Sequence, residues 1–89
     1  MRVTHAMVHS VFQIYCETFG FPLLTKERLP GSYFVDYAPC YGGWRISELL
    51  ASTGIRDVHH ERYSTKEFYY MLSFAIRTES ERKYREQNK

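Results

Sequence analysis

Apolar positions recur with two different periods along this chain. Between Thr4 and Gly20 the spacing is helical: Val8, Phe12, Tyr15 and Phe19 form one stripe, widened by Val11 and Cys16, while Ser10, Gln13 and Glu17 fall opposite. Thr4 is placed to cap this helix, Gly20 to stop it, and Pro22 follows just beyond. From Tyr33 the period changes to two. Tyr33, Val35, Tyr37, Trp44, Ile46 and Leu50 sort to one side, and Phe34, Asp36, Ala38, Arg45, Ser47 and Leu49 to the other. The first set is the expected core face of a β-hairpin.

Two turns fit this hairpin. Gly42-Gly43 suits a two-residue turn, because paired glycines accept positive φ, and it sets Tyr41 opposite Trp44. A turn through Ala38-Pro39-Cys40-Tyr41 followed by a glycine bulge sets Ala38 opposite Tyr41. Both sort the side chains onto the same faces. Pro39 inside a strand would mark an edge, which slightly favours the second turn.

The connector from Phe21 to Gly31 carries Pro22 and Pro30 and leaves room for a short turn of helix near Thr25 to Leu29. After the hairpin, Ala51-Ser52-Thr53-Gly54 is turn-like, and Ile55 to Val58 is expected to add a short third strand. Ser64-Thr65-Lys66-Glu67 then matches a capping box. The helix it opens is apolar through Phe68, Met71, Leu72, Ala75 and Ile76, with Tyr69 and Phe74 at the margins; Lys66, Tyr70, Ser73 and Arg77 form the polar stripe. Beyond Arg77 only Tyr84 breaks a polar run, so residues 78–89 are expected to be a helical extension or tail. The architecture predicted for residues 1–77 is one two-layer α+β domain: N-terminal helix, antiparallel hairpin of two or three strands, C-terminal helix.

Eighty-nine residues with 17% aromatic content build one thin core and leave aromatic rings at the surface. Homodimerisation would bury more of them. Net charge is +2, and residues 77–89, with Arg77, Arg82, Lys83, Arg85 and Lys89 against Glu79, Glu81 and Glu86, account for all of it. A neutral body with a mildly basic tail is a weak nucleic-acid signature. No apolar run is long enough for a bilayer, and the start lacks a secretory pattern, so no membrane partner and a cytoplasmic protein with reduced Cys16 and Cys40 are expected.

The segments Gly31…Val35-Asp36-Tyr37…Tyr41-Gly42-Gly43-Trp44-Arg45-Ile46 and Arg62-Tyr63-Ser64-Thr65-Lys66-Glu67-Phe68-Tyr69…Leu72…Ala75-Ile76-Arg77 resemble small uncharacterised accessory proteins of tailed bacteriophages and prophages. The likeness covers Met1 to Arg77. It departs at Asp57-Val58-His59-His60, where such proteins are often glycine-rich. The resemblance implies a host-takeover or anti-defence protein acting by binding, in the cytoplasm of the host cell.

Catalytic chemistry finds little support. His59-His60-Glu61 lacks metal-ligand spacing, and His5 and His9, though four apart, would need Cys16, Cys40 or His59 to converge on them. Cys40 has no base beside it in sequence, and Cys16 lies on the core stripe. Gly42-Gly43 leads into a strand, whereas phosphate loops lead into a helix. Asp36 and Glu48 fall on opposite faces. No enzyme activity, metal site or cofactor is expected.

The exposed aromatic and basic residues fit macromolecular contact better. The expected partner-binding residues are Tyr70, Phe74 and Arg77 on the last helix, with Tyr41 and Arg45 at the hairpin, and a host protein is the expected partner. The alternative is nucleic acid, bound by the basic C-terminal helix and Arg45. A purely structural role for Arg45, paired with Asp36 or Glu48, stays open.

Overall fold

A computed structural model describes residues 2–51, 54–58 and 61–87. Helix α1 (His5–Phe19) is followed by β1 (Tyr33–Ala38), β2 (Gly43–Leu49), β3 (Ile55–Asp57) and helix α2 (Thr65–Gln87). The strands form one antiparallel sheet in the order β1-β2-β3, so the fold is α+β.

Both helices begin where local chemistry says they should. Thr4 accepts the Met7 amide on its hydroxyl at 3.2 Å, and Gly20 closes α1 in the left-handed conformation with its amide on the Cys16 carbonyl. At α2, Ser64 and Glu67 exchange side-chain-to-amide hydrogen bonds, each at 3.2 Å. Helix α2 runs unbroken through Arg77 to Gln87.

The hairpin register differs from both expected pairings. Ala38 lies opposite Gly43 and Tyr33 opposite Glu48. The connection is a 3-10 turn over Pro39–Tyr41, closed by Gly42 at φ 107° with its amide on the Pro39 carbonyl at 3.4 Å. Proline opens this loop and a left-handed glycine ends it, so the four-residue turn uses both signals at once. The face assignment survives because strand parity is unchanged.

Three further expectations are corrected. Leu49, assigned to the outer face, is fully buried, and Leu50, assigned to the core, is 51% exposed. The ladder ends at Leu49, whose amide and carbonyl bond Ser32 and Gly31 while Ile55 pairs beside it; the incoming loop and β3 together cover that outer corner. Thr25 to Leu29 forms a turn, with the Arg28 amide on the Thr25 carbonyl at 3.1 Å, and no helix. Strand β3 stops at Asp57, one residue early, although the Val58 amide still reaches the Ile46 carbonyl at 3.0 Å. Ser52, Thr53, His59 and His60 lie outside the described residues.

After β3 the chain returns to β2. Tyr63 and Trp44 exchange backbone hydrogen bonds of 2.9 and 2.7 Å, an isolated bridge that seats α2. This approach is close: a Cβ on Gly43 would meet the Tyr63 carbonyl oxygen at 2.2 Å. At the other edge, the Pro22 carbonyl and Leu24 amide pair with Tyr33 and cover the start of β1.

Helices and sheet meet in one cluster made of Val8, Val11, Phe12 and Cys16 from α1, Trp44 and Ile46 from β2, and Phe68 and Leu72 from α2. Fully burying aromatic and aliphatic groups of this size contributes about 1.5–3 kcal/mol each. Trp44 is its hub. The rings of His5 and His9 meet the indole edge-on at 5.0 and 5.5 Å, Phe68 stacks on it at 5.9 Å, and its Nε1 donates to the Thr65 hydroxyl at 2.9 Å. Both helices therefore start beside Trp44. Near their far ends the Lys83 ammonium donates to the Thr18 carbonyl, so α1 and α2 run side by side in the same direction. No helix among the described residues is long and apolar enough to cross a membrane.

Candidate protein-interaction surface

Helix α2 turns Thr65, Phe68, Leu72 and Ile76 toward the body, as its apolar arc requires. With 100° per residue, Tyr70, Phe74 and Arg77 then fall on the other side, roughly 160° away. Phe74 is 62% exposed and Tyr70 is 46% exposed. The Arg77 guanidinium sits 5.9 Å from the Phe74 ring centroid, a cation–π contact that holds it along the helix surface.

This face continues further than the sequence reading took it. An open hollow of about 440 Å³ is lined by Tyr69, Tyr70, Ser73, Phe74 and Arg77. A second, of about 420 Å³, is lined by Arg77, Ser80, Glu81, Tyr84 and Arg85. Arg77 borders both, so a single strip runs from Tyr70 to Arg85. Tyr84, 68% exposed, belongs to it. Its signal in the sequence is the spacing of four, three, four and three through residues 70, 74, 77, 81 and 84.

The two hairpin residues do not join this strip. Tyr41 stands at the turn, strongly exposed. Arg45 lies on the outer face of the sheet, away from both helices. Its Nη2 reaches the Asp36 carboxylate at 3.3 Å, and its Nε lies 3.2 Å from Asp57 as an ion pair without an aligned hydrogen bond. The geometry favours a structural role for this arginine.

Arg62, which the sequence reading did not single out, completes that group. Its Nη2 donates to Asp36 at 2.7 Å and its Nη1 to the Gly43 carbonyl at 2.9 Å and the Asp36 carbonyl at 3.3 Å. The Arg62 hydrogen bond, aided by the charges of Arg62 and Arg45, holds the Asp36 carboxyl below the usual aspartate range. Two carboxylates and two guanidiniums balance here, so the cluster presents little net field. Its effect is to fasten the segment after β3 to the hairpin.

The remaining reactive groups are dispersed. His5 and His9 pack on Trp44, and the His5 ring also meets Tyr37 at 4.5 Å. Cys16 is buried, which, with a smaller push from Glu17, raises its thiol to about 11; Cys40 is exposed in the hairpin turn. Among the described residues no three His, Cys, Asp or Glu side chains gather to hold a metal ion. On the tail, Arg82 pairs with Glu79 and Glu86, and Lys83 is engaged by Thr18. Comparison with protein-family models, curated proteins and solved structures finds no match for this chain.

Proposed function

We propose that the protein is a non-enzymatic binding module, a phage accessory protein of the host-takeover or anti-defence type, that acts through protein–protein contact on the outer face of α2. The observation that carries this reading is the exposed strip beginning Tyr70-Phe74-Arg77 on a helix whose other side is fixed to the core. Aromatic rings and arginine are the side chains most often found as interface anchors, since they bring large area at small entropic cost. The likeness of the hairpin and last helix to phage accessory proteins supports the biological setting.

A nucleic-acid role has less support. Arg45 is neutralised by Asp36 and Asp57, Arg82 by Glu79 and Glu86, and the Lys83 ammonium is engaged by the Thr18 carbonyl. Each charge cancelled in this way lowers the counterion release available to drive such binding.

The test is a tagged pull-down from bacterial host lysate, treated with nuclease, comparing the natural chain with Tyr70→Ala, Phe74→Ala and Arg77→Ala. A protein retained by the natural chain and lost from the variants, at unchanged Tm, is the expected result. Recovery that disappears with nuclease or moderate salt transfers the function to nucleic acid.

A further inference from the structure

We infer that the outer face of α2 pairs with the same face of a second copy, antiparallel, setting Arg77 against the partner's Glu81 and Phe74 against the partner's Tyr84. This rests on reading that strip as a binding surface, and adds a second copy as an occupant that competes there with the host protein.

The argument begins with spacing. Residues 70, 74, 77, 81 and 84 alternate steps of four and three, the mean period of 3.5 that keeps one seam of a helix against another helix. Phe74 and Tyr84 on this seam are the most exposed rings of the helix, at 62% and 68%.

Charge then selects the partner and its direction. Read from the N-terminal side, the seam runs Phe74, Arg77, Glu81, Tyr84: aromatic, basic, acidic, aromatic. Read backwards it runs aromatic, acidic, basic, aromatic. An antiparallel copy therefore sets opposite charges together in the two central layers and rings together in the two outer ones. A parallel copy sets arginine on arginine and glutamate on glutamate. Self-complementarity under a two-fold axis is what a closed dimer requires. Both seam charges are available for such a contact: among the described residues Arg77 and Glu81 enter no ion pair, whereas Arg82 is matched within the helix by Glu79 and Glu86.

The overlap from Phe74 to Tyr84 is about 16 Å long. About three turns of helix from each copy bury less than the roughly 1,200–2,000 Å² of a stable interface, so the pairing is expected to be reversible, with dissociation on the order of tens of micromolar.

The experiment is sedimentation equilibrium from about 1 to 500 µM on the natural chain, Phe74→Ala, Arg77→Glu, Glu81→Arg, and an equimolar mixture of the last two. The natural chain is expected to dimerise. Each variant alone should dimerise at least about tenfold more weakly, with circular dichroism and Tm unchanged. The mixture should regain the natural affinity, because every charge then meets its opposite. A natural chain that stays monomeric overturns the inference. So does a dimer indifferent to Arg77→Glu, since reversing one charge in a parallel seam only exchanges one like pair for another. A mixture that fails to recover overturns the register. A monomer that still captures a host protein through Tyr70, Phe74 and Arg77 refutes the self-pairing alone. A dimer with the stated charge pattern and no captured protein refutes the host-protein reading alone.

Discussion

Arg62 and Asp36 are 26 positions apart in sequence and joined by a 2.7 Å hydrogen bond between guanidinium and carboxylate. Only 10% of the Arg62 side chain remains exposed, and the same guanidinium also caps the carbonyls of Asp36 and Gly43. Arg62→Met keeps the aliphatic stem and removes all three bonds. It should cost about 2 kcal/mol, most of it from the Asp36 carboxylate losing its nearest partner, since both carbonyls keep their places in the sheet ladder. Arg45→Met, in a side chain 23% exposed that shares its carboxylates, should cost less. Urea midpoints of the two variants, measured side by side, decide the order.

Asp36 links stability to pH. Its folded carboxyl titrates below the ordinary aspartate value because Arg62 and Arg45 favour the ionised form. A depressed folded pKa adds stability that is fully present above the unfolded value of about 3.9 and disappears as pH falls through the folded one. The stability difference between the natural chain and Asp36→Asn should therefore be constant above pH ~5 and close below pH ~4. Because 39% of the Asp36 side chain faces solvent, the difference should also shrink in high salt. A gap that persists at low pH would assign the effect to packing.

Gly43 is the least replaceable position in the hairpin. Its φ of 119° strains any side chain, and the methyl of alanine would collide with the Tyr63 carbonyl oxygen at 2.2 Å, a backbone atom with no freedom to rotate aside. Gly43→Ala should cost about 3 kcal/mol, or roughly 15 °C in Tm for a domain of this size. Gly42→Ala, which would find only the Arg62 side chain at 3.5 Å, should cost less, mainly for its φ of 107°. Thermal melts of both variants test the ranking.

The two thiols should react at very different rates. Cys40 is exposed in the 3-10 turn, while Cys16 is buried with its thiol raised to about 11. At pH 8 a thiol reagent should modify one cysteine promptly and the second only on unfolding. Mass spectrometry of the singly labelled chain should locate the adduct on Cys40. Prompt double labelling would show α1 opening away from the sheet.

Local features of this fold were legible in the sequence, and long-range ones were not. The Thr4 cap, the Ser64–Glu67 box and the inward faces of both helices follow from residues within a few positions of one another. Strand parity sorted Tyr33, Val35, Trp44 and Ile46 correctly even though the register was off, because any odd pairing yields the same faces. The register itself depended on Pro39, Gly42 and Gly43 acting in one loop, while each alone suggested a shorter turn. Leu49 was misplaced because its cover comes from residues 31, 32 and 55, on both sides of it in sequence. On α2, the exposure of Tyr70 and Arg77 followed from the polar stripe and that of Phe74 from its margin. Glu81 and Tyr84 were missed because a run of charges around Tyr84 reads as tail until its spacing is measured against residues 70 to 77.

Trp44 is the chain's single indole, and it sits at the joint where both helices meet the sheet. Its fluorescence is consequently an internal gauge of whether the three parts are assembled, with no label required. The paired stretch of α2, Phe74 to Tyr84, lies on the side of that helix turned away from this chromophore. Emission should track unfolding while staying silent as copies associate. Conformational integrity and self-association can thus be followed in one cuvette as two independent optical and hydrodynamic signals.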